Sequence, residues 1–375
     1  MNVKYCGPCL DYSGYGEANR HDVGALVAAG IDVTTEIPKY TLELSDFGKL
    51  GRLASELQDR KIDYKIKILH VTPNAYPIYF EVGKYHIGRV IWETDKLPDE
   101  FAKSVQMLDE VWTASEFNRK AILKSGVTKP IYVIPEAIDT DIGADRVLPY
   151  ILEEDDCYKF YSIFEWTERK NPIALLTAFW QEFAPEEKVS LTVKTYIDNF
   201  TKEKQDEIDQ NIKMAKKKLN LNYYAPVYLF KELMDRHQIY RFHRTFDCFV
   251  STHRGEGWGI PQMEAMIMGK PIISTDAGGI HEYLTHRVNA LLVNYKMIPL
   301  GEGNTRNKQW YTPDQNWAEV DIIKFREEMR WCFENKDRAA KVGKDGGIFV
   351  RTNFALPVVG QKMKQRLEEI EKNVA

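Results

Sequence analysis

The chain has 375 residues, of which 44% are hydrophobic and 28% charged, so it is long enough for two globular domains. Its net charge of −4 argues against a nucleic-acid binder, which needs a basic face to displace counterions. No apolar run approaches the roughly 20 residues of a membrane-spanning helix. These features predict a cytoplasmic enzyme without a transmembrane segment, and leave peripheral membrane association and a homodimer open.

Five cysteines are scattered along the chain, an odd number that does not suggest a disulfide framework. Cys6 and Cys9 have the spacing of a thioredoxin-type redox centre, which needs a reactive thiolate at the start of a helix. Here a loop-like segment, 10–16, follows instead. The context favours a simple exit from a strand into a loop.

Short apolar runs alternate with longer helical patterns in both halves, which is typical of parallel sheets covered by helices. In the first half the pattern predicts strands at 31–33, 66–71, 90–92, 111–114 and 131–134, and helices at 17–29, 99–108 and 116–124.

A turn-rich acidic segment, 139–156, predicts the domain boundary. The second half then predicts strands at 160–164, 189–194, 227–230, 247–252, 271–274 and 290–293, and helices at 172–183, 202–219, 232–243 and 260–268. Segment 294–317 is interpreted as a surface loop, and the chain as mostly helical from Ala318. The resulting domains are 1–150 and 151–355, followed by a helix, 356–375, expected to pack back on the first domain.

The most informative stretch, 251–279, places three glycines of a loop just before a helix that begins with Ile260 and Pro261. Proline in the first turn of a helix costs no hydrogen bond. Glycines let a ligand approach the backbone, and a helix N-terminus offers free N–H groups to an anion. The stretch therefore predicts an anion-binding site.

Glu256 and Glu264 flank this helix start. A carboxylate is repelled by a phosphate, so both are expected to contact hydroxyl groups. Glu264 is placed to accept hydrogen bonds from a ribose, and Glu256 to face a transferred sugar. The alternative is that both are ordinary helix-start carboxylates favoured by the helix dipole.

Segment 256–266, EGWGIPQMEAM, resembles the retaining glycosyltransferases of family 4, whose pattern is E-G-[FW]-G-x-P-x-x-E-A-M. Segments 269–273 and 278–282 also resemble this family. The resemblance implies a GT-B fold, in which two Rossmann-like doubly wound α/β domains face each other across a cleft. It further implies a catalytic role for Glu256 and donor binding by Gly257, Trp258, Gly259, Ile260 and Glu264.

The implied reaction moves a hexose, mannose or glucose, from a nucleotide diphosphate sugar to a hydroxyl group of a glycan, protein or lipid with retention of configuration. GDP-mannose and UDP-glucose are the leading donors, with mannose slightly ahead. Neither a tightly bound cofactor nor a metal ion is required, because cationic side chains and backbone amides can stabilise the leaving diphosphate.

Two adjacent basic residues, Arg169 and Lys170, follow a predicted strand and precede a helix that begins with proline. The family carries an arginine and a lysine five residues apart here, and both neutralise the donor diphosphate. Lys170 matches the lysine, whereas Glu165 stands in the arginine's place. We expect Arg169 to supply the missing charge.

In the N-terminal half, Gly14, Tyr15 and Gly16 resemble the family's glycine loop, although Ser13 replaces its first glycine. This loop is predicted to contact the donor or the acceptor. His70 ends a predicted strand and is a candidate catalytic residue, with a structural histidine as the alternative. Family members often carry a second histidine where this chain has Thr72.

Two alternative functions fit the sequence less well. An epimerase or dehydrogenase acting on nucleotide sugars would need G-x-G-x-x-G and Tyr-x-x-x-Lys, but the one tyrosine match, 240–244, ends in arginine. A non-catalytic sugar-nucleotide-binding module would keep Glu264 and lose Glu256. Both glutamates are present, which favours the transferase.

Overall fold

The computed structural model describes residues 1–38, 47–142, 147–152, 156–301 and 310–374. They divide into two compact units, the first drawn from Met1–Asp141, Lys308–Gln315 and Arg351–Ala375, and the second from Ile142–Asn307 and Asn316–Val350. Each unit is built on its own six-stranded parallel sheet. No helix within the described ranges has the length and apolar character needed to span a bilayer.

The sheet of the first unit has the order β2-β1-β3-β4-β5-β6, with every neighbouring pair parallel. Apolar side chains on both faces are buried, such as Val3 and Ile68 on one face and Leu69 and Val111 on the other, because helices cover the sheet. The strands are β1 (Asn2–Cys6), β2 (Asp32–Glu36), β3 (Ile66–Leu69), β4 (Tyr85–Arg89), β5 (Glu110–Thr113) and β6 (Ile131–Val133). The helices are α1 (Gly14–Ala28), α2 (Gly48–Glu56), α3 (Tyr76–Tyr79), α4 (Asp99–Val105), α5 (Glu116–Lys124) and, from the end of the chain, α12 (Leu356–Val374).

Helix α12 packs against α1 through a close backbone contact. A Cβ atom at Gly360 would lie 2.0 Å from the carbonyl oxygen of Ala25, so only glycine permits this approach. Met363, Leu367 and Ile370 form one apolar stripe that is buried in the core of the first unit. The C-terminal helix is thus an integral part of this unit.

The strand predicted at 90–92 is wrong, because β4 lies at Tyr85–Arg89 instead. The sequence of β4 does not show the apolar pattern of a buried strand, because the buried residues His86 and Arg89 interrupt it. A Cβ atom at Gly88 would lie 2.2 Å from Leu108 Cδ1, so a larger residue there would displace the Leu108 side chain. Arg89 is compensated by Asp22, whose carboxylate lies 3.0 Å from its Nε atom.

The sheet of the second unit has the order β12-β11-β10-β7-β8-β9, again entirely parallel. Its strands are β7 (Tyr158–Glu165), β8 (Val189–Tyr196), β9 (Val227–Phe230), β10 (Cys248–Ser251), β11 (Ile272–Thr275) and β12 (Leu291–Val293). Its helices are α6 (Pro172–Glu182), α7 (Lys202–Leu219), α8 (Arg236–Thr245), α9 (Ile260–Ile267) and α10 (Ile322–Glu334), followed by α11 (Lys336–Phe354). The α/β class with two Rossmann-like doubly wound units is therefore confirmed.

The prediction of a surface loop at 294–317 is wrong for the described residues that form strands. Strand β13 (Tyr295–Pro299) pairs antiparallel with β14 (Asn316–Val320), so helix formation starts only after Val320. Local sequence does not reveal this pair, because each strand needs the other for its hydrogen bonds. Residues 302–309 of the predicted loop, and residues 143–146 and 153–155 of the predicted boundary, lie outside the described residues.

Candidate functional site

In the second sheet, strand order makes the carboxyl ends of β7 and β10 a candidate ligand-binding position. Strands β7 and β10 are neighbours, and the chain continues from β7 to β8 on one side and from β10 to β11 on the other. Open parallel sheets bind ligands outside the carboxyl ends of the strands at such a switch point. Arg169 and Lys170 follow β7, and Glu256 follows β10. Topology thus brings two segments that are distant in sequence to one place.

Backbone geometry after β10 depends on two glycines with positive φ. Gly259 has φ 96° and caps α9, and a Cβ atom there would lie 2.6 Å from the hydroxyl of Tyr283. Gly278 has φ 93°, and a Cβ atom there would lie 2.3 Å from the carbonyl oxygen of Glu256. The adjacent Gly279 donates its N–H to that same oxygen at 2.8 Å. These contacts fix the loop that carries Glu256.

The carboxylate of Glu256 is buried beside both basic residues of the β7 loop. Its Oε2 atom lies 2.5 Å from Lys170 Nζ and 3.6 Å from Arg169 Nη1. Burial acts to raise the pKa of Glu256, but Lys170 and then Arg169 outweigh it and lower the pKa to about 2. Glu256 is therefore ionised at neutral pH and can accept hydrogen bonds but not donate them.

Arg169 also joins the two loops directly. Its Nη1 donates to the carbonyl oxygen of Gly255 at 2.9 Å, and its own carbonyl accepts the N–H of Arg254 at 2.7 Å. Arg169 and Lys170 form a short 3₁₀ turn with Glu168, directly before α6. Glu165, which stands where the family has arginine, ends β7 and accepts the N–H of Asp198 at 3.4 Å.

Glu264 lies on α9 and contacts a different set of residues. It is 3% exposed, its Oε1 atom is paired with Arg236, and its Oε2 atom lies 3.2 Å from Nε2 of His243. The two predicted glutamates thus have separate partners within the same unit. Arg236 and His243 belong to α8, and no local motif in the sequence marks them as site residues.

The remaining predicted residues of this loop are mostly buried. Gly257 and Trp258 are buried, and Ile260 is half-buried at the start of α9. The carbonyl oxygens of Trp258 and Gly259 accept the hydroxyl of Tyr283 at 2.7 and 2.9 Å. The tyrosine side chain therefore holds the turn that leads into the helix.

His253 is a further member of this site that the sequence analysis did not single out. It is fully buried, and its ring nitrogens lie 3.0 Å from Ser251 Oγ and 3.0 Å from the carbonyl oxygen of Ala277. Burial lowers its pKa to about 4, so the ring is neutral at pH 7. Its Nε2–H donates to Ala277, because a carbonyl oxygen can only accept. The signal was its position three residues before Glu256.

The first unit contains a second cluster at its own switch point, between β1 and β3. Ser13 caps α1 by accepting the N–H of Gly16 at 3.3 Å. A Cβ atom at Gly16 would lie 2.2 Å from the carbonyl oxygen of Asp11. A Cβ atom at Gly14 would meet no atom within 4 Å among the described residues. Tyr15 donates its hydroxyl to Val71 at 3.1 Å. Its ring packs edge-on against His70, with centroids 4.9 Å apart.

His70 is fully buried within a polar network of the first unit. Its Nδ1 atom lies 2.6 Å from the hydroxyl of Tyr5 and 3.3 Å from Asp22 Oδ2. Burial lowers the pKa of His70, although Asp22 acts in the opposite direction. Its Nε2 atom has no hydrogen-bond partner among the described residues. The structure thus unites Tyr15 with His70 in the first unit, and Arg169, Lys170 and Glu256 in the second.

Cys6, at the end of β1, and Cys9, in the loop that follows, are both buried. Burial raises the pKa of the Cys6 thiol, and it raises that of Cys9 to about 12. Neither thiol therefore ionises near neutral pH, which redox chemistry would require. Within the described ranges, no group of three or more His, Cys, Asp or Glu residues is arranged to hold a metal ion.

Sequence comparison agrees with the chemistry of the second unit. Residues 156–298 match the model of a family described as Glycosyl transferases group 1. This segment carries Arg169, Lys170, Glu256 and Glu264, and the match supports a glycosyltransferase. No curated protein is significantly similar in sequence to the chain.

Solved structures with low sequence identity share the fold of this chain. Anabaena HepE in complex with UDP-glucose has a TM-score of 0.68 and 13% identity, covering 98% of this chain and 100% of that one. Sucrose-phosphate synthase from Thermosynechococcus elongatus has a TM-score of 0.69 and 15% identity over 100% of both chains. A glycosyltransferase from Rickettsia africae has a TM-score of 0.69 and 14% identity, covering 100% and 99%. These similarities establish the GT-B type of fold.

Proposed function

We propose that this protein is a retaining glycosyltransferase of family 4 that moves a hexose from a nucleotide diphosphate sugar to a hydroxyl acceptor. The observation that carries this proposal is the buried Glu256 carboxylate beside Lys170 and Arg169, at the switch point of the second sheet. The site combines cations for a diphosphate with a fixed acceptor for sugar hydroxyls. The match of residues 156–298 to a glycosyltransferase family supports the same chemistry.

Departure of the nucleoside diphosphate builds negative charge on its phosphate oxygens. Lys170 and Arg169 can offset this charge, and their side chains are partly accessible, at 14% and 17% exposed. The amides near Trp258, Gly259 and Ile260, at the start of α9, would add fixed donors. This role requires no metal ion, and we propose that the reaction proceeds without one.

Glu256 is proposed to hold hydroxyl groups of the transferred sugar. A carboxylate with a pKa of about 2 is an acceptor throughout the physiological range, so it is unsuited to act as a general acid. Its paired cations also make it a weak nucleophile. The leaving phosphate can instead accept the proton of the acceptor hydroxyl, which keeps both reaction partners on one face of the sugar.

Glu264 is proposed to bind the ribose of the donor. In the first unit, Gly14, Tyr15 and Gly16 are proposed to contact the donor or acceptor, and His70 to contact the sugar through Nε2. UDP-glucose is the first donor to test, because Anabaena HepE, which shares the fold, binds it. GDP-mannose remains the second candidate.

Turnover of donor by the Glu256→Gln variant tests this proposal. Release of nucleoside diphosphate from UDP-glucose and GDP-mannose is followed in the parent protein and the variant. We expect the variant to lose activity by orders of magnitude while its affinity for nucleoside diphosphate stays nearly unchanged. Equal activity in both proteins would remove Glu256 from the reaction.

A further inference from the structure

The two oxygens of the Glu264 carboxylate lie in different surroundings. Oε2 faces His243, which is fully buried, whereas Oε1 is paired with Arg236, whose side chain is 19% exposed. Oε1 is thus paired with the more exposed of the two partners, and Oε2, on what we call the inner side, with the fully buried one. A carboxylate oxygen has two lone-pair directions, so a single oxygen can accept hydrogen bonds from two donors at once.

Hydrogen-bond chemistry fixes the direction of every bond on the inner side. Burial lowers the pKa of His243, so its ring carries one proton. The carboxylate can only accept, so this proton resides on Nε2 and is donated to Oε2. Nδ1 must then accept, and its partner is the hydroxyl of Tyr161 at 2.9 Å. The chain Tyr161–His243–Glu264 is thus fully determined.

Aromatic packing holds this chain in place. The ring of Phe249 packs edge-on against Tyr161 with centroids 5.2 Å apart, and it stacks on His243 at 6.2 Å. Tyr161 belongs to β7, His243 to α8 and Glu264 to α9, so three elements of one unit are tied together. A buried chain of this kind restricts the rotamer of its terminal carboxylate.

We propose that Tyr161 and His243 are positioning residues that hold Glu264 with Oε1 directed at a hydroxyl of the donor ribose. The inference rests on the proposed function and extends it, because it names the residues that orient the ribose acceptor. Neither residue touches the donor itself. Their contribution is the fixed direction of one carboxylate oxygen.

The experiment compares ligands that differ only in the ribose hydroxyls. Calorimetry measures the affinity of UDP and of 2′,3′-dideoxy-UDP, with the matching guanosine pair in parallel. For the parent protein we expect the hydroxyls to improve affinity roughly 10-fold or more, since a bond to a charged acceptor contributes that much. His243→Leu removes the donor to Oε2 and should reduce this preference to about threefold or less.

Three further variants separate positioning from packing. His243→Gln can again place an N–H near Oε2 and should recover part of the ribose preference. Tyr161→Phe removes the hydrogen bond that holds Nδ1 of the His243 ring, and should lower the preference even if His243→Leu does not fold. Phe249→Leu loosens the packing of both rings and keeps every hydrogen bond, so it should weaken stability while reducing the ribose preference less than His243→Leu does.

Each outcome bears on a distinct statement. An undiminished ribose preference in folded His243→Leu and Tyr161→Phe would overturn the inference and leave the glycosyltransferase proposal standing. A parent protein that binds UDP and GDP without any ribose preference would overturn the inference and the ribose role of Glu264. A parent protein that binds no nucleoside diphosphate would overturn the inference and the proposed function together.

Discussion

Replacement of Lys170 by methionine removes the nearest positive charge from Glu256 and keeps a side chain of similar length. In the parent protein the pKa of Glu256 is about 2, against an ordinary value of 4.5. A difference of about 2.5 pKa units corresponds to about 3 kcal/mol of stability at pH 7, at roughly 1.4 kcal/mol per unit. In Lys170→Met, Arg169 Nη1 still lies 3.6 Å from Glu256 Oε2 and keeps part of this stabilisation. We therefore expect the free energy of unfolding to fall by about 2 kcal/mol in the variant.

The pH dependence of stability gives this prediction its sign. Because folding lowers the pKa of Glu256, its contribution is fully present above pH 4.5 and is lost as the pH falls towards 2. Between pH 4.5 and pH 2, protonation of Glu256 should therefore lower the free energy of unfolding of the parent protein by about 3 kcal/mol. In Lys170→Met the pKa of Glu256 in the folded protein rises, so the corresponding loss again begins near pH 4.5 but is smaller and is complete at a higher pH.

Urea unfolding followed by tryptophan fluorescence at pH 7, 4 and 3 measures both effects. Lys188→Met is the matched control, because Lys188 forms an ion pair with Asp156 in which both side chains are more than 70% exposed. Such a pair contributes little to stability. If Lys170→Met proves as stable as the control at pH 7, with an unchanged pH profile, the electrostatic account of Glu256 is wrong.

Three shorter predictions address other parts of the chain. Glu256→Gln should retain nucleoside diphosphate binding but lose donor turnover, and calorimetry combined with a product-release assay separates the two. Lys194 is buried with its pKa lowered to about 8 against an ordinary 10.5, so its cost to stability persists at pH 7 and fades as the pH rises from 8 to 10.5. The ammonium group of Lys194 lies 4.9 Å from the ring centroids of both Tyr196 and Phe200. Lys194→Met should raise the unfolding free energy at pH 7 by roughly 2 kcal/mol, which is about 3 from the pKa shift less about 1 for the lost contacts with these rings. Destabilisation in urea would refute this. Gly360→Ala forces a Cβ atom to within 2.0 Å of Ala25 O and should destabilise the first unit by about 1–3 kcal/mol, whereas an unchanged melting curve would show that α12 shifts freely.

Much of the fold follows from local sequence, because periodic apolar runs report burial directly. Helix α7 and strand β9 occupy the predicted residues, and the glycine and proline signals mark the start of α9 correctly. Strand β4 and the β13–β14 pair were missed for different reasons. Buried polar residues obscure the first, and long-range pairing alone creates the second.

The candidate site was predictable residue by residue but not as an arrangement. Lys170 and Glu256 were each marked by a local motif, yet they are 86 residues apart and only the strand order brings them together. Arg236 and His243 carry no motif of their own. Their importance arises from packing of α8 against α9, which no spacing within either helix reveals.

The proposed function depends on the binding of a sugar-nucleotide diphosphate by Lys170 and its neighbours. Calorimetric titration of the parent protein and Lys170→Ala with UDP-glucose, GDP-mannose, UDP and GDP tests it most directly. The account predicts that the parent binds at least one of these pairs, and that the variant binds it more weakly by about 1.5–3 kcal/mol, roughly 10- to 150-fold. Absence of binding to every ligand, or equal affinities in parent and variant, would contradict it.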